Sequence, residues 1–180
     1  MPNRKLPIAI FAAAAAFVGW QAASAAPDGD AEMLDVRAAM VEGVNPAALA
    51  IWDVGNGAMN EDGGLDPALM DDAAWAKLHE AAQSLATYAH RMAEAPVIRA
   101  SGPDLVEGKV PEGVASREQI QAMIDANPDG FRAHSAEMER QARAIADAAA
   151  ARDLAATGEL VFSFDGTCQA CHEGYWYLPQ

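Results

Sequence analysis

The chain of 180 residues is short of cysteine, of basic side chains, of aromatics and of long apolar runs, and each shortage excludes something. Two cysteines cannot build the disulfide framework of a small secreted scaffold. Twelve lysines and arginines against 26 acidic residues give a net charge of −14, which repels phosphate backbones and argues against nucleic-acid binding. Aromatics make up 7% and β-branched runs are scarce, so a core built from sheets has little to draw on. The longest apolar stretch, "LPIAIFAAAAAFVGW", falls short of the roughly 20 residues that a spanning helix needs. There is no glycine-rich phosphate loop and no nucleophile-and-base phrase, so classical enzyme chemistry finds no foothold.

What is present begins with an address. Arg4 and Lys5 precede that apolar stretch, and "QAASAAP" follows with small residues at Ala23 and Ala25, the pattern of a signal-peptidase site. Residues 1–25 are expected to be a signal peptide and residues 26–180 one mature domain, exported to the periplasm with no stable membrane insertion. Arg4 and Lys5 are the only charges in the leader, so residues 26–180 hold 26 acids and 10 bases, a net −16. Such a surface suits basic partners, although solubility alone also accounts for it.

Alanine is abundant and apolar residues recur at spacings of three and four, which marks helices. A first helix is expected from about Asp30 to Met59, with Met33, Val36, Met40, Val44, Ala47, Ile51 and Val54 on one face. Asn45-Pro46 should kink or break it, with Asn45 as a new cap. A second is expected from about Pro67 to Ala93 along Trp75, Leu78, Ala82, Leu85, Ala89 and Met92. The proline- and glycine-rich stretch from Glu94 to Ser116 reads as a long connection. Ser116 and Gln119 then have capping-box spacing, Asn127–Gly130 is a turn, and a longer helix runs from about Phe131 to Arg152. A last helix starts near Asp153, with Val161, Phe164, Cys168, Cys171 and Tyr175 spaced as a heptad seam. Gly166 within it has no account, and Pro179 lies beyond its end. The pattern predicts an all-α fold, an antiparallel four-helix bundle.

The two cysteines stand together in "CQACH", Cys168 to His172. On a helix, positions three apart share a face, so Cys168 and Cys171 present both sulfurs to one side, with His172 one turn beyond Cys168. That is the C-x-x-C-H pattern of covalent haem attachment: two thioethers to the porphyrin edge and an imidazole on the iron. Three rivals fit worse. A thioredoxin-like pair would follow a strand, and no strand pattern precedes this one. Structural zinc wants a fourth ligand, often from a second cysteine pair that the chain lacks. A disulfide closing so short a loop would stabilise almost nothing.

A haem motif in the last helix of a four-helix protein resembles the cytochrome c' family, as does Tyr175 three residues after the histidine in "CQACHEGY". Two more phrases, "AMVEGVNPAALAIWDVGN" in the first helix and "DDAAWAKLHEAA" in the second, resemble exported c'-like cytochromes, and the likeness runs from about Glu32 to Tyr177. Trp176 departs from the pattern, since the family often has arginine or lysine after the tyrosine. The resemblance implies one covalent haem c and unidentified redox protein partners. Relatives often pair through their first two helices, so a homodimer is an expectation from the resemblance alone.

The far side of the iron decides the chemistry. A thioether ligand there makes a six-coordinate electron carrier, whereas an open site binds small gases. Met40 is the candidate, by its place on the first stripe and by its match to the family's methionine before the Asn-Pro pair; ordinary core packing is the other reading. Met33, seven residues earlier, is the weaker choice. Arg37, three residues before Met40, could pair with a haem propionate or simply face water. His79, His90 and His134 are further iron-binding candidates that fit better as exposed residues, and Trp52, Trp75, Phe164 and Tyr175 fit the core. Electron transfer is the first functional reading. Gas binding or sensing at an open distal site is the alternative, and a structural or assembly role for the haem is a third.

Overall fold

A computed structural model describes residues 33–102, 110 and 112–178. The expected signal segment, the start of the mature chain and Pro179 lie outside the described residues.

The first helix starts later than the apolar spacing predicts. Met33–Asp35 is a strand, β1, paired in parallel with a second strand, β2 (Val97–Arg99), in the register Leu34 to Ile98. Side chains alternate along a strand, so Leu34 and Ile98 turn inward while Met33 is 58% exposed. Helix α1 (Val36–Ala39) begins where the Asp35 carboxylate accepts the Ala38 N–H at 3.0 Å. A π-helical turn, Met40–Val44, then leads into α2 (Asn45–Gly57).

The expected cap at Asn45 does not form. Asn45 is helical, with φ −62° and ψ −48°, and its N–H bonds to the carbonyl of Met40, five residues back. The reason lies in Pro46. It lacks an N–H, and its ring crowds the carbonyl four residues earlier. One widened turn relieves the crowding without breaking the helix.

Helix α3 (Asp72–Glu94) starts five residues after the expected Pro67. Asp71 sets that start, accepting the Ala74 N–H at 2.8 Å. Helix α4 (Arg117–Ala126) carries the predicted capping box, and Asn127 with Pro128 opens α5 (Pro128–Ala151). Arg152 ends α5 in a left-handed conformation with φ 54°. Asp153 caps α6 (Leu154–Tyr175).

Helices α2, α3, α5 and α6 form a four-helix bundle in which α2 packs on α3 and α6, and α5 on α3 and α6. Neighbours are antiparallel. His79 meets Ala146 and Arg132 meets Ala95 across α3 and α5. Gln141 meets Leu160, and Asn127 meets Tyr175, across α5 and α6. Ile51, Leu78, Leu85, Met92, Ile145 and Phe164 are fully enclosed between them. Helices α2 and α6 approach so closely that a methyl added at Gly55 would stand 2.6 Å from Val161. Among the described residues nothing lies within 4 Å of a methyl built on Gly166, and the structure gives no reason for a glycine there. Among the described residues no helix is long and apolar enough to cross a membrane.

The connection after α3 is pinned at both ends. β2 ties it to the start of α1. Past its middle, the Leu178 N–H donates to Gly113 O at 2.9 Å and the Ala115 N–H to Trp176 O at 2.8 Å, stitching it to the chain beyond α6.

Candidate functional site

At one end the bundle does not close. Two apolar hollows, of about 160 and 210 Å³, abut there, and Met40, Asn45, Cys171 and His172 line both. The first is completed by Arg37, Ile120, Phe131, Tyr175 and Trp176, among others. The second extends past Leu49, Trp52, His134, Met138 and Cys168. Met40, at the head of the π turn, and His172, in the last turn of α6, thus face the same space from different helices.

Cys168, Cys171 and His172 lie in unbroken helix. Both cysteines are half-buried and unbridged. Burial pushes the Cys168 thiol up to about 12, with Asp165 and Cys171 adding to the rise, and burial pushes Cys171 up to about 11. Redox-active cysteines have lowered values, so these thiols are not tuned for disulfide exchange. Burial also holds His172 below the ordinary histidine value, against the opposing pull of Asp165. A neutral imidazole has a lone pair to give a metal.

The backbone and rings around His172 are fixed. Its carbonyl accepts from the Trp176 N–H at 2.8 Å and from the Tyr177 N–H at 2.9 Å. Its ring lies 5.7 Å from the Trp176 ring and 6.0 Å from that of Tyr177. Tyr175 anchors the same turn: its hydroxyl donates to Asn127 O at 2.8 Å and its ring meets Phe131 edge-on at 5.4 Å. Trp52 packs on Phe164 at 5.6 Å, and Trp75, Phe164 and Tyr175 are buried as expected of core residues, with Trp52 half-buried.

The other candidates scatter. Arg37, the second residue of α1, lies against Gly102, and its Nε is buried with no hydrogen-bond partner among the described residues, at the wall of the first hollow. Gly102 has φ +81°, and a methyl there would press on the Arg37 side chain at 3.0 Å. Met33 is exposed on β1 and lines neither hollow. His90 is exposed on α3, bonded to Glu139. The expectation of exposure is corrected for two histidines. His79 is half-buried and bonds Ala146 O at 2.9 Å, and His134 is half-buried in the wall of the second hollow, edge-on to Tyr175 at 6.0 Å. The signal for His134 was in the sequence, since it stands three residues after Phe131 and four before Met138, both on the buried stripe of α5. Ala100, Ser101, Val114 and Ala115, from the long connection, also wall the first hollow. Nothing in their local pattern marked them.

A haem fits these residues. The group is flat and apolar with two carboxylates on one edge, and the site offers apolar walls, two thiols and an imidazole on α6, a thioether facing them, and an unpartnered guanidinium nitrogen at the rim. A bare metal ion fits less well: among the described residues no three His, Cys, Asp or Glu side chains converge as such an ion needs.

Fold and site together define a helical-bundle protein of the c-type haem class. Comparison with known families agrees: residues 69–176 match the family described as Cytochrome C'. The chain belongs to the cytochrome c' family, and membership carries a haem c cofactor with it. A similar curated protein is cytochrome c' of Pararhodospirillum photometricum, 34% identical over 67 residues, which are 36% of this chain and 54% of that protein. The chain thus matches about half the length of that relative. No solved structure matches.

Proposed function

We propose that the chain is an exported, periplasmic monohaem electron carrier. Cys168 and Cys171 would hold the haem as thioethers, His172 and Met40 would ligate its iron, and Arg37 would pair with a propionate. When bound, the haem supplies a one-electron ferric–ferrous couple.

One observation carries this reading: Met40 and His172 line both hollows of the same open bundle end, from opposite ends of the mature chain. The unpartnered Arg37 Nε supports it, because a buried guanidinium nitrogen with no acceptor costs stability unless an anion meets it. The apolar walls exclude water, which limits reorganisation on electron transfer and tunes the potential. The acidic surface favours redox partners with basic docking faces.

Spectra of the purified haem protein, reduced, with and without carbon monoxide, test the proposal. Low-spin iron indifferent to the gas in the natural chain, and a gas-binding form in Met40→Ala, is the expected result. High-spin iron that binds the gas at once in the natural chain replaces the carrier with a gas-binding protein whose distal site is open.

A further inference from the structure

Trp176 follows Tyr175 at the C-terminal end of α6. It is half-buried, lines the first hollow, and packs its ring 5.7 Å from that of His172, tilted by 35°. Tyr177 meets the same imidazole at 6.0 Å, near perpendicular at 80°. Neither aromatic is loosely attached. Both backbone N–H groups donate to His172 O, and the bonds Ala115 N–H to Trp176 O and Leu178 N–H to Gly113 O clip the tail to the long connection. The imidazole therefore sits between two rings whose backbone is fixed at both ends.

We infer that Trp176 is a positioning residue that sets the plane of the His172 imidazole, with Tyr177 bracing the ring edge-on. The physical reason is rotational. In the last turn of a helix, an imidazole is free to turn about its χ2, whose wells are broad. Among the described residues no side chain or carbonyl hydrogen-bonds a His172 ring nitrogen to stop it. Ring packing against an indole held by its backbone supplies a weak, directional term of restraint. Such a term is too small to decide folding but large enough to choose one orientation over another. A cation at position 176 would leave the ring freer and place a charge beside the iron ligand. An indole does neither.

This inference rests on the proposal that His172 binds haem iron, and the test separates the two. The full chain is produced in a host with cytochrome maturation, as natural protein and as Trp176→Ala, Trp176→Phe and Ile145→Ala. Mass under denaturing conditions reports covalent haem. Proton NMR of the oxidised protein then reports the pattern of shifted haem methyl signals, which follows the plane of the axial imidazole. With equal haem content in all four, Trp176→Ala is expected to rearrange the methyl pattern, Trp176→Phe to restore most of it, and Ile145→Ala to lower the melting temperature with the pattern unchanged. A Trp176→Ala pattern superimposable on that of the natural protein overturns the inference and leaves the haem proposal standing. A bare polypeptide mass for the natural chain overturns both.

Discussion

The two ends of the bundle use the same kind of helix for opposite purposes. Towards the α5–α6 turn, Ile51, Leu78, Ile145 and Val161 close on one another and leave almost no surface exposed. Towards the C-terminus the same stripes continue through Met40, Cys168 and Cys171, yet these side chains are half-buried and border open space. A protein interior is normally packed to crystal density, so a patterned stripe that fails to close marks a place kept for something else. The closed end is held by its own side chains, and the open end has the shape of a core with its centre left out. A covalently held porphyrin is the group whose chemistry matches the side chains at its rim.

The largest effect should come from breaking the attachment at the open end. Cys168→Ser with Cys171→Ser is expected to abolish covalent haem completely, read as loss of the porphyrin mass under denaturing conditions. At the closed end, Ile145→Ala is expected to cost about 2–5 kcal/mol in chemical denaturation, with the reduced spectrum unchanged. The contrast with Met40→Ala sharpens the comparison: that variant should change the spectrum and cost less stability, because Met40 is only half-buried. If Met40→Ala instead destabilises as much as Ile145→Ala and leaves the spectrum alone, Met40 is core and the open end is smaller than described.

The thiols give a third probe. With Cys168 raised to about 12 and Cys171 to about 11 by burial, few thiolates exist at pH 8 in the folded, haem-free chain. Alkylation should run at least about tenfold slower there than in denaturant, where both thiols return to ordinary values. Equal rates in the two states would show that the attachment face is unfolded without haem.

How much of this the sequence discloses also differs between the ends. The stripe of α3 follows the helical period without interruption, so Trp75, Leu78, Ala82, Leu85, Ala89 and Met92 are legible residue by residue, and the extent of α5 is legible to within a few residues. Ser116 with Gln119 was legible because a capping box is a local device. The C-x-x-C-H phrase was legible for the same reason. The first helix departs from its apolar spacing where its geometry depends on distant residues: Met33–Asp35 becomes a strand only because Val97–Arg99 lies beside it, a pairing some sixty positions away in sequence. At Asn45-Pro46 the proline's demand was visible, but a π turn and a break satisfy it equally, and the choice rests on packing such as Tyr88 against Gly43. The start of α3 is ambiguous in sequence because Pro67 and Asp71 both open helices well. The walls contributed by Ser101, Val114 and Ala115 come from a connection with no period at all.

The smallest expected effect lies on the outer surface of the α3–α5 seam, nearer the open end. Glu139 on α5 accepts from Arg143 one turn on, at 2.8 Å from Nε, and meets His90 of α3 at 3.1 Å. Burial alone would raise its carboxyl, but these partners outweigh burial and hold it below the ordinary glutamate value. The sign follows: a carboxylate lowered on folding contributes stability above its unfolded value near 4.5, and the contribution is lost as pH falls through the lowered folded value. Glu139→Gln should therefore cost no more than about 1 kcal/mol at pH 7, because the partners are solvent-exposed, and the difference from the natural chain should vanish at a pH low enough to protonate Glu139 in the folded chain. Denaturation at the two pH values checks it. A cost well above that figure, or one that persists in acid, would mean that the α3–α5 seam is held by this triad rather than by the apolar stripe beneath it, and the contrast between a self-sufficient closed end and a cofactor-dependent open end would weaken accordingly.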